Sequence, residues 1–401
     1  MSAPNNDADR EPPQLTTLAI SGYRSLRNLI VPLSRLNVIT GANGSGKSSV
    51  YRALRLLAAT ARGGLIPSLA REGGLQSTLW AGPERFSRAM LTGEAPVQGT
   101  RRNDPVSLRL GFAGDTFGYA IDLGLPIPNE ASQFSLDPVI KRECIWSGPV
   151  LRPSALLVDR HGVQLRTRDD AGEWQTISQP IASFDSMLTE YADPRSAPEM
   201  ISMREQIRSW RFYDHFRTDA DSPVRLPQIG THTPVLSDDG TDLAAALQTI
   251  VQIGNAAALS AAIDDAFPGS RIEMTNQSGR FEVTMYQHGL LRPLSGAELS
   301  DGTLRYLLLV AALLTPRPPQ LLVLNEPETS LHPDLLPALA RLIAQASQYS
   351  QLLVVSHATR LIAALEREAG GQPIVLEKHF GETRLVDADD FDIPAWKWPS
   401  R

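Results

Sequence analysis

The sequence predicts an α/β fold with a parallel-sheet core, and three observations carry that prediction. An apolar strand at 36–40 runs straight into a glycine-rich stretch and then a helical pattern over 48–61, with Val50, Ala53, Leu54, Leu57, Ala58 and Ala61 on one face. From Thr303 the pattern alternates helix, strand, helix, strand over 303–315, 320–325, 334–348 and 351–356, as crossover helices on a parallel sheet do. Residues 105–165 alternate apolar and polar groups with turn residues between, which predicts an antiparallel β region.

Composition narrows the class. With 401 residues, 42% hydrophobic and 20% charged, the chain has material for two ordinary domains, or one large domain with an insertion. The net charge of −6 argues against a surface coated with basic residues for nucleic acid, and leaves room for a local basic patch. Cys144 is the only cysteine, which excludes an internal disulfide and any multi-cysteine zinc site and fits a reducing compartment. The longest apolar run, Tyr306 to Leu314, is far short of the roughly 20 residues that span a bilayer, and no secretion signal opens the chain. A cytoplasmic location is expected.

The remaining segments give the domain plan. Residues 1–13 are polar and proline-rich and predict a disordered tail. Short apolar segments follow at 15–20 and 29–33, the alanine-rich stretch 243–267 predicts a helix, and 271–286 predicts a hairpin turning at Ser278–Gly279. The expected division is 14–180 for a lobe with the glycine loop and the antiparallel region, 181–290 for an inserted helical and hairpin segment, and 291–401 for a second lobe. Two further stretches admit a functional and a plain reading. Arg204 to Arg217 mixes arginines with aromatics, as a nucleic-acid surface can, but reads better as an amphipathic helix entering a strand whose aromatics join the core. The acidic run from Asp387 to Asp390 reads as a solvated turn rather than a metal site.

Four motifs carry chemistry. Gly41-Ala-Asn-Gly-Ser-Gly-Lys-Ser48 fits G-x-x-x-x-G-K-[ST] in full, between a strand and a helix. Its glycines let backbone N–H groups turn inward around phosphates; Lys47 would reach the β- and γ-phosphates, and Ser48 would ligate Mg²⁺ at the positive end of the helix. The apolar strand 320–324 ends in Asn325-Glu326, and Glu326 is placed to polarise an attacking water. Leu299-Ser-Asp-Gly-Thr303 opens the helix RYLLLVAALL, where Ser300 and Gly302 suit anion binding; alone, Ser300 would read as a plain N-cap, and Leu294-Ser-Gly-Ala-Glu298 is a decoy with no helix pattern directly behind it. The strand from Gln351 ends in Ser356-His357, whose imidazole can hydrogen-bond a γ-phosphate oxygen.

In order and spacing these blocks resemble the Walker A, Walker B, signature and switch-histidine motifs of ABC-type ATPases. The opening Ile20-Ser-Gly-Tyr-Arg-Ser-Leu26 and the run EPETSLHP resemble the SMC and RecF group, in particular stand-alone bacterial RecF-like ATPases without the long coiled coil. The similarity covers roughly 15–60 and 290–380.

The resemblance implies a P-loop NTPase of ABC type, a bilobed head with a mixed sheet, and ATP with Mg²⁺ as cofactors. It implies Lys47, Glu326 and His357 as catalytic residues, and Asn43, Gly44, Ser45, Gly46, Lys47, Ser48 and Ser49 around the phosphates. It puts Arg24 near the base or ribose, Ser300 and Gly302 on the nucleotide of a second subunit, Ser48 and Asn325 at the metal, and Ser330 to His332 in a loop facing that subunit. A homodimer with ATP sandwiched between subunits follows, and DNA or a partner effector protein is the further ligand expected. One departure stands out: the ABC pattern has aspartate before the catalytic glutamate, and Asn325 lacks its charge. Gln76 is a weak candidate for the glutamine loop that senses nucleotide.

Overall fold

The computed structural model describes residues 14–401 apart from 93, 97, 99–104, 128–132, 170 and 387–392. The expected tail at 1–13 and the acidic run at 387–390 lie outside the described residues. The chain forms two units: one of residues up to Ser34, 41–210 and 374–401, the other of 35–40 and 211–373. The units cross the sequence boundaries at 180/181 and 290/291: residues 181–210 and 374–401 both belong to the first unit.

In the first unit, β1 (Leu15–Tyr23) and β2 (Leu26–Pro32) form a hairpin, and α1 (Lys47–Thr60) follows the glycine loop; β3 (Leu36–Gly41), which leads into that loop, belongs to the second unit up to Thr40. Three short helices come next, α2 (Leu65–Arg71), α3 (Leu75–Thr78) and α4 (Arg88–Leu91). The antiparallel region is then β4 (Leu108–Gly114), β5 (Phe117–Gly124), β6 (Val139–Ser147), β7 (Leu156–His161), β8 (Gln164–Arg168) and β9 (Trp174–Thr176). These strands join the first hairpin in one eight-stranded sheet of order β2-β1-β4-β5-β6-β7-β8-β9, so the sheet is larger than the alternation in 105–165 predicts. Its central strands are buried on both faces. Trp210, after α5 (Met187–Glu190) and α6 (Pro198–Ser209), packs its ring 5.1 Å from Phe112. Trp396 lies edge-on to Trp146 at 5.6 Å, and Arg401 Nε meets Asp122 at 2.7 Å, so the segment after 392 is strapped across β4, β5 and β6.

The second unit holds the parallel sheet. β10 (Arg211–Tyr213) is followed by the short β11 (Gln228–Ile229) and by helices α7 (Leu243–Ile253) and α8 (Ala256–Ala266). The single helix expected over 243–267 is thus two: glycine at 254 disfavours helix, and Asn255 caps the second helix by accepting from Ala258 N at 2.9 Å. The expected hairpin is β12 (Arg271–Gln277) and β13 (Arg280–Tyr286), with β14 (Leu294–Ser295) added to β13. Then come α9 (Asp301–Leu313), β15 (Leu321–Asn325), α10 (Leu336–Ala346), β16 (Gln351–Val355) and α11 (Thr359–Ala369).

Strands β10, β15, β16 and β3 pair in that order, all parallel. β15 and β16 are apolar and buried almost throughout, as central strands covered on both faces must be. Phe212, Tyr213 and Phe216 are buried, so the aromatics of the 204–217 stretch serve the core and not a nucleic-acid surface. β17 (Ile374–His379) and β18 (Glu382–Leu385) form a hairpin of the first unit. No helix among the described residues is long and apolar enough to cross a membrane.

Among the described residues, one ion pair is buried outright. Arg160 Nη1 meets Glu143 Oε2 at 3.0 Å, and both side chains are 0% exposed. Glu143 also accepts from Tyr119, Ser186 and the Met187 N–H, so its charge is fully solvated by protein donors. Burial, with Glu143 beside it, pushes the Tyr119 hydroxyl well above its usual pKa. Replacing Glu143 by Ala strands a buried guanidinium and three other donors. The expected loss is about 3–5 kcal/mol in the transition of this unit, measured by chemical denaturation.

Candidate functional site

The glycine loop is shaped by what lies behind it. Gly41 and Gly46 have φ of +144° and +112°, and a Cβ would meet the Leu376 carbonyl oxygen at 2.1 Å and Thr383 Oγ1 at 2.3 Å. Thr383 Oγ1 hydrogen-bonds the Ser45 carbonyl at 2.7 Å and Ser25 Oγ at 2.8 Å, so β18 clamps the loop to the β1–β2 turn. Lys47 is 7% exposed, and its ammonium donates to the carbonyls of Gly41 (2.6 Å) and Ala42 (3.0 Å). Ser45 Oγ is buried without a partner among the described residues, and Gly46, as N-cap, gives α1 no side-chain cap. Asn43, Gly44 and Ser48 are exposed at the rim, and Ser49 is half-buried. An uncapped helix start and a lysine held at the loop fit a polyphosphate, and the Ser48 hydroxyl is a hard oxygen donor suited to Mg²⁺.

The parallel register sets the other groups side by side. Asn325 pairs with Val355, and Val355 with Ile39, so β15, β16 and β3 end together; Thr40 leads into Gly41. Glu326 turns out of β15 at φ +48°, a left-handed value unusual for a non-glycine residue, while its N–H still bonds the Val355 carbonyl at 2.8 Å. His357 Nδ1 lies 3.6 Å from Glu326 Oε1 and 3.6 Å from Glu328 Oε1. Glu328 is buried and takes hydrogen bonds from Ser356 Oγ and the N–H groups of His357 and Ala358, which fixes the histidine loop. Asn325 Nδ2 donates to Asp214 Oδ1 at 2.8 Å. Beneath them Arg305 Nη2, from α9, donates to the carbonyls of Asp214 (3.1 Å) and Glu326 (3.3 Å). Burial pushes the Arg305 pKa down, against the pull of the Asp214, Glu328 and Glu326 carboxylates.

Ser300 caps α9, accepting from the Thr303 N–H at 3.1 Å. A Cβ on Gly302 would lie 2.8 Å from the Ser330 carbonyl oxygen, and Ser330 itself has φ +64°. The signature turn and the loop from Ser330 to His332 therefore touch, and with Phe267 and Asp334 they line a cavity of about 680 Å³. The buried Arg225 orders the turn by donating to the Leu299 carbonyl at 2.7 Å and to the Asp301 carboxylate. The decoy at 294–298 folds on itself, with Glu298 taking bonds from Arg292 and the Ser295 N–H.

Arg24 is placed with φ +50°; its guanidinium meets Glu72 Oε2 at 2.5 Å and rests on the Tyr23 ring. Gln76 is exposed on the short α3. Sequence reasoning missed Asp214, Arg225, Arg305 and the anchoring role of Glu328. Arg305 left a signal, a lone cation inside an otherwise apolar helix; Arg225 left none.

A family model described as "AAA domain, putative AbiEii toxin, Type IV TA system" matches residues 36–363. No curated protein matches the chain. Among solved structures, the SMC head bound to the C-winged helix domain of ScpA is similar at 14% identity and TM-score 0.51, covering 93% of this chain and 98% of that one. The SMC head domain from Thermotoga maritima is 16% identical, with TM-score 0.42 and coverage of 94% and 99%. An SMC head from Pyrococcus furiosus, with an extended coiled coil and bound to the C-terminal domain of ScpA, is 13% identical, with TM-score 0.47 and coverage of 93% and 96%. The fold is that of the SMC head.

Gly46→Ala tests the clamp on the loop. A methyl group there meets Thr383 and must hold a disfavoured φ, so the loop shifts. Nucleotide affinity is expected to fall at least about tenfold, or 1.4 kcal/mol, in titrations with a fluorescent ATP analogue. Wild-type affinity in the folded variant would contradict this account.

Proposed function

The chain belongs to the AAA domain family that it matches over residues 36–363, as an ABC-type ATPase of the SMC and RecF kind, and from that premise we propose that it binds Mg-ATP and hydrolyses it. One observation carries the reading: Glu326 and His357 stand 3.6 Å apart at neighbouring strand tips, in the sheet whose next strand runs into the glycine loop. Lys47 and the loop N–H groups hold the phosphates. Glu326 orients and polarises the attacking water, and His357 donates to a γ-phosphate oxygen. Ser48 would hold Mg²⁺, with Asn325 acting through a bound water; the ion neutralises charge on the phosphate oxygens.

Each chain has one glycine loop and one signature. A head-to-tail homodimer brings Ser300 and Gly302 of each subunit to the ATP of the other, with Ser330 to His332 at the interface. The cavity shared by the signature turn and that loop supports this arrangement. Of the two settings the resemblance implies, DNA recombination or repair and bacterial defence, the family description of a toxin of a type IV system supports defence, with a partner effector protein as target. A second reading, an ATP-held switch or scaffold with little hydrolysis, is favoured by Asn325 where the ABC pattern has aspartate.

Three variants test the proposal. Lys47→Ala is expected to lose nucleotide binding while remaining folded, because no other cation on the loop replaces its ammonium. Glu326→Gln is expected to keep ATP binding, lose at least about 100-fold in turnover, and run as a dimer in light scattering with saturating Mg-ATP. Adding Ser300→Arg to it should return the protein to monomer with ATP still bound. A Glu326→Gln protein that stays monomeric would count against the sandwich.

A further inference from the structure

Asp214 plays no part in the reading above, yet it is placed by the same register. Tyr213, the last residue of β10, pairs with Leu324, so the next residue on each strand, Asp214 and Asn325, stand side by side at the sheet's carboxyl edge. Asn325 Nδ2 donates to Asp214 Oδ1 at 2.8 Å. An ionised carboxylate only accepts, so the amide must present its NH₂ to Asp214, and its carbonyl oxygen faces the other way. Arg305, 2% exposed, fixes both strand tips through the carbonyls of Asp214 and Glu326.

The geometry points to Asp214 as a positioning residue for the metal that accompanies ATP: it holds Asn325 with the carbonyl oxygen turned out to a metal-bound water, and supplies the negative charge that an aspartate at 325 would carry. The inference rests on the reading of the chain as an Mg-ATP-binding protein. The site is a split form of the aspartate, with charge on one strand and hydrogen-bonding oxygen on the next. The pair bears one negative charge in total. Asp214→Asn removes the carboxylate, and Asn325→Asp sets two carboxyl groups at the distance of a hydrogen bond, where their charges repel. Exchanging the two residues restores one charge and one hydrogen bond, now with the carboxylate at 325.

The test compares the full-length wild type, Asp214→Asn, Asn325→Asp and the exchanged double variant. Binding of a fluorescent ATP analogue is titrated with Mg²⁺ and repeated in EDTA, and melting temperatures are taken without metal. Asp214→Asn is expected to need at least about tenfold more Mg²⁺ for half-maximal binding, with binding in EDTA unchanged. Asn325→Asp should melt lowest without metal. The double variant should recover the wild-type melting temperature and come within about threefold of its Mg²⁺ requirement. A wild-type Mg²⁺ dependence in Asp214→Asn, an equal loss with and without metal, or a double variant no better than Asp214→Asn would overturn the proposal. A wild type that binds no nucleotide would instead overturn the nucleotide reading, and this inference with it.

Discussion

Arg305 reaches from the buried side of α9 to the ends of two parallel strands, and the candidate site depends on that reach. Its guanidinium is enclosed, so its bonds to the carbonyls of Asp214 and Glu326 are made where water does not compete. Those carbonyls lie where the ladder of the sheet runs out, and each would otherwise want a partner. By taking both, one side chain ties β10 to β15 at their tips and ties each to the signature helix. Both bonds leave one nitrogen, Nη2, so the two carbonyls converge on a single donor atom.

The left-handed turn at Glu326 follows from the same constraint. The residue keeps its N–H on the Val355 carbonyl and its own carbonyl on Arg305 while its side chain leaves the sheet, and φ +48° is the conformation found for it. Glu328, two residues on, returns inward and accepts three bonds from the loop that carries His357. The two acidic residues of EPE are thus chemically alike and structurally opposite, one half-exposed beside the histidine, the other buried beneath it.

Much of this was legible in the sequence because it is written in local patterns. The glycine loop, the strands ending in Asn325-Glu326 and Ser356-His357, and the cap at Ser300 each need only neighbouring residues, and each appears where periodicity puts it. Legibility stopped where the partner is distant in the chain. Nothing near Asp214 says that it meets Asn325, 111 residues on, and nothing near Arg225 says that it will order a turn more than 70 residues away. The expected domain plan divides the chain where composition changes along it, whereas the compact units draw on segments far apart in sequence, 374–401 joining 41–210. The helix over 243–267 split because one glycine and one capping asparagine outweighed the good helix formers around them.

The bond between Thr383 and the Ser45 carbonyl spans 338 residues, and this has a consequence for how the protein is made. During synthesis the glycine loop emerges early, but its clamp does not exist until β18 has been translated. At ordinary elongation rates of 5–20 residues per second the gap between the two is on the order of 20–70 s. Throughout that interval the nascent chain carries a phosphate-binding sequence without the backing that fixes its backbone. The strap at Trp396 and Arg401, which packs on the eight-stranded sheet, follows later still. The backing of the glycine loop is thus completed only after β18 has been made, and the rigidity of the loop is a late product of folding.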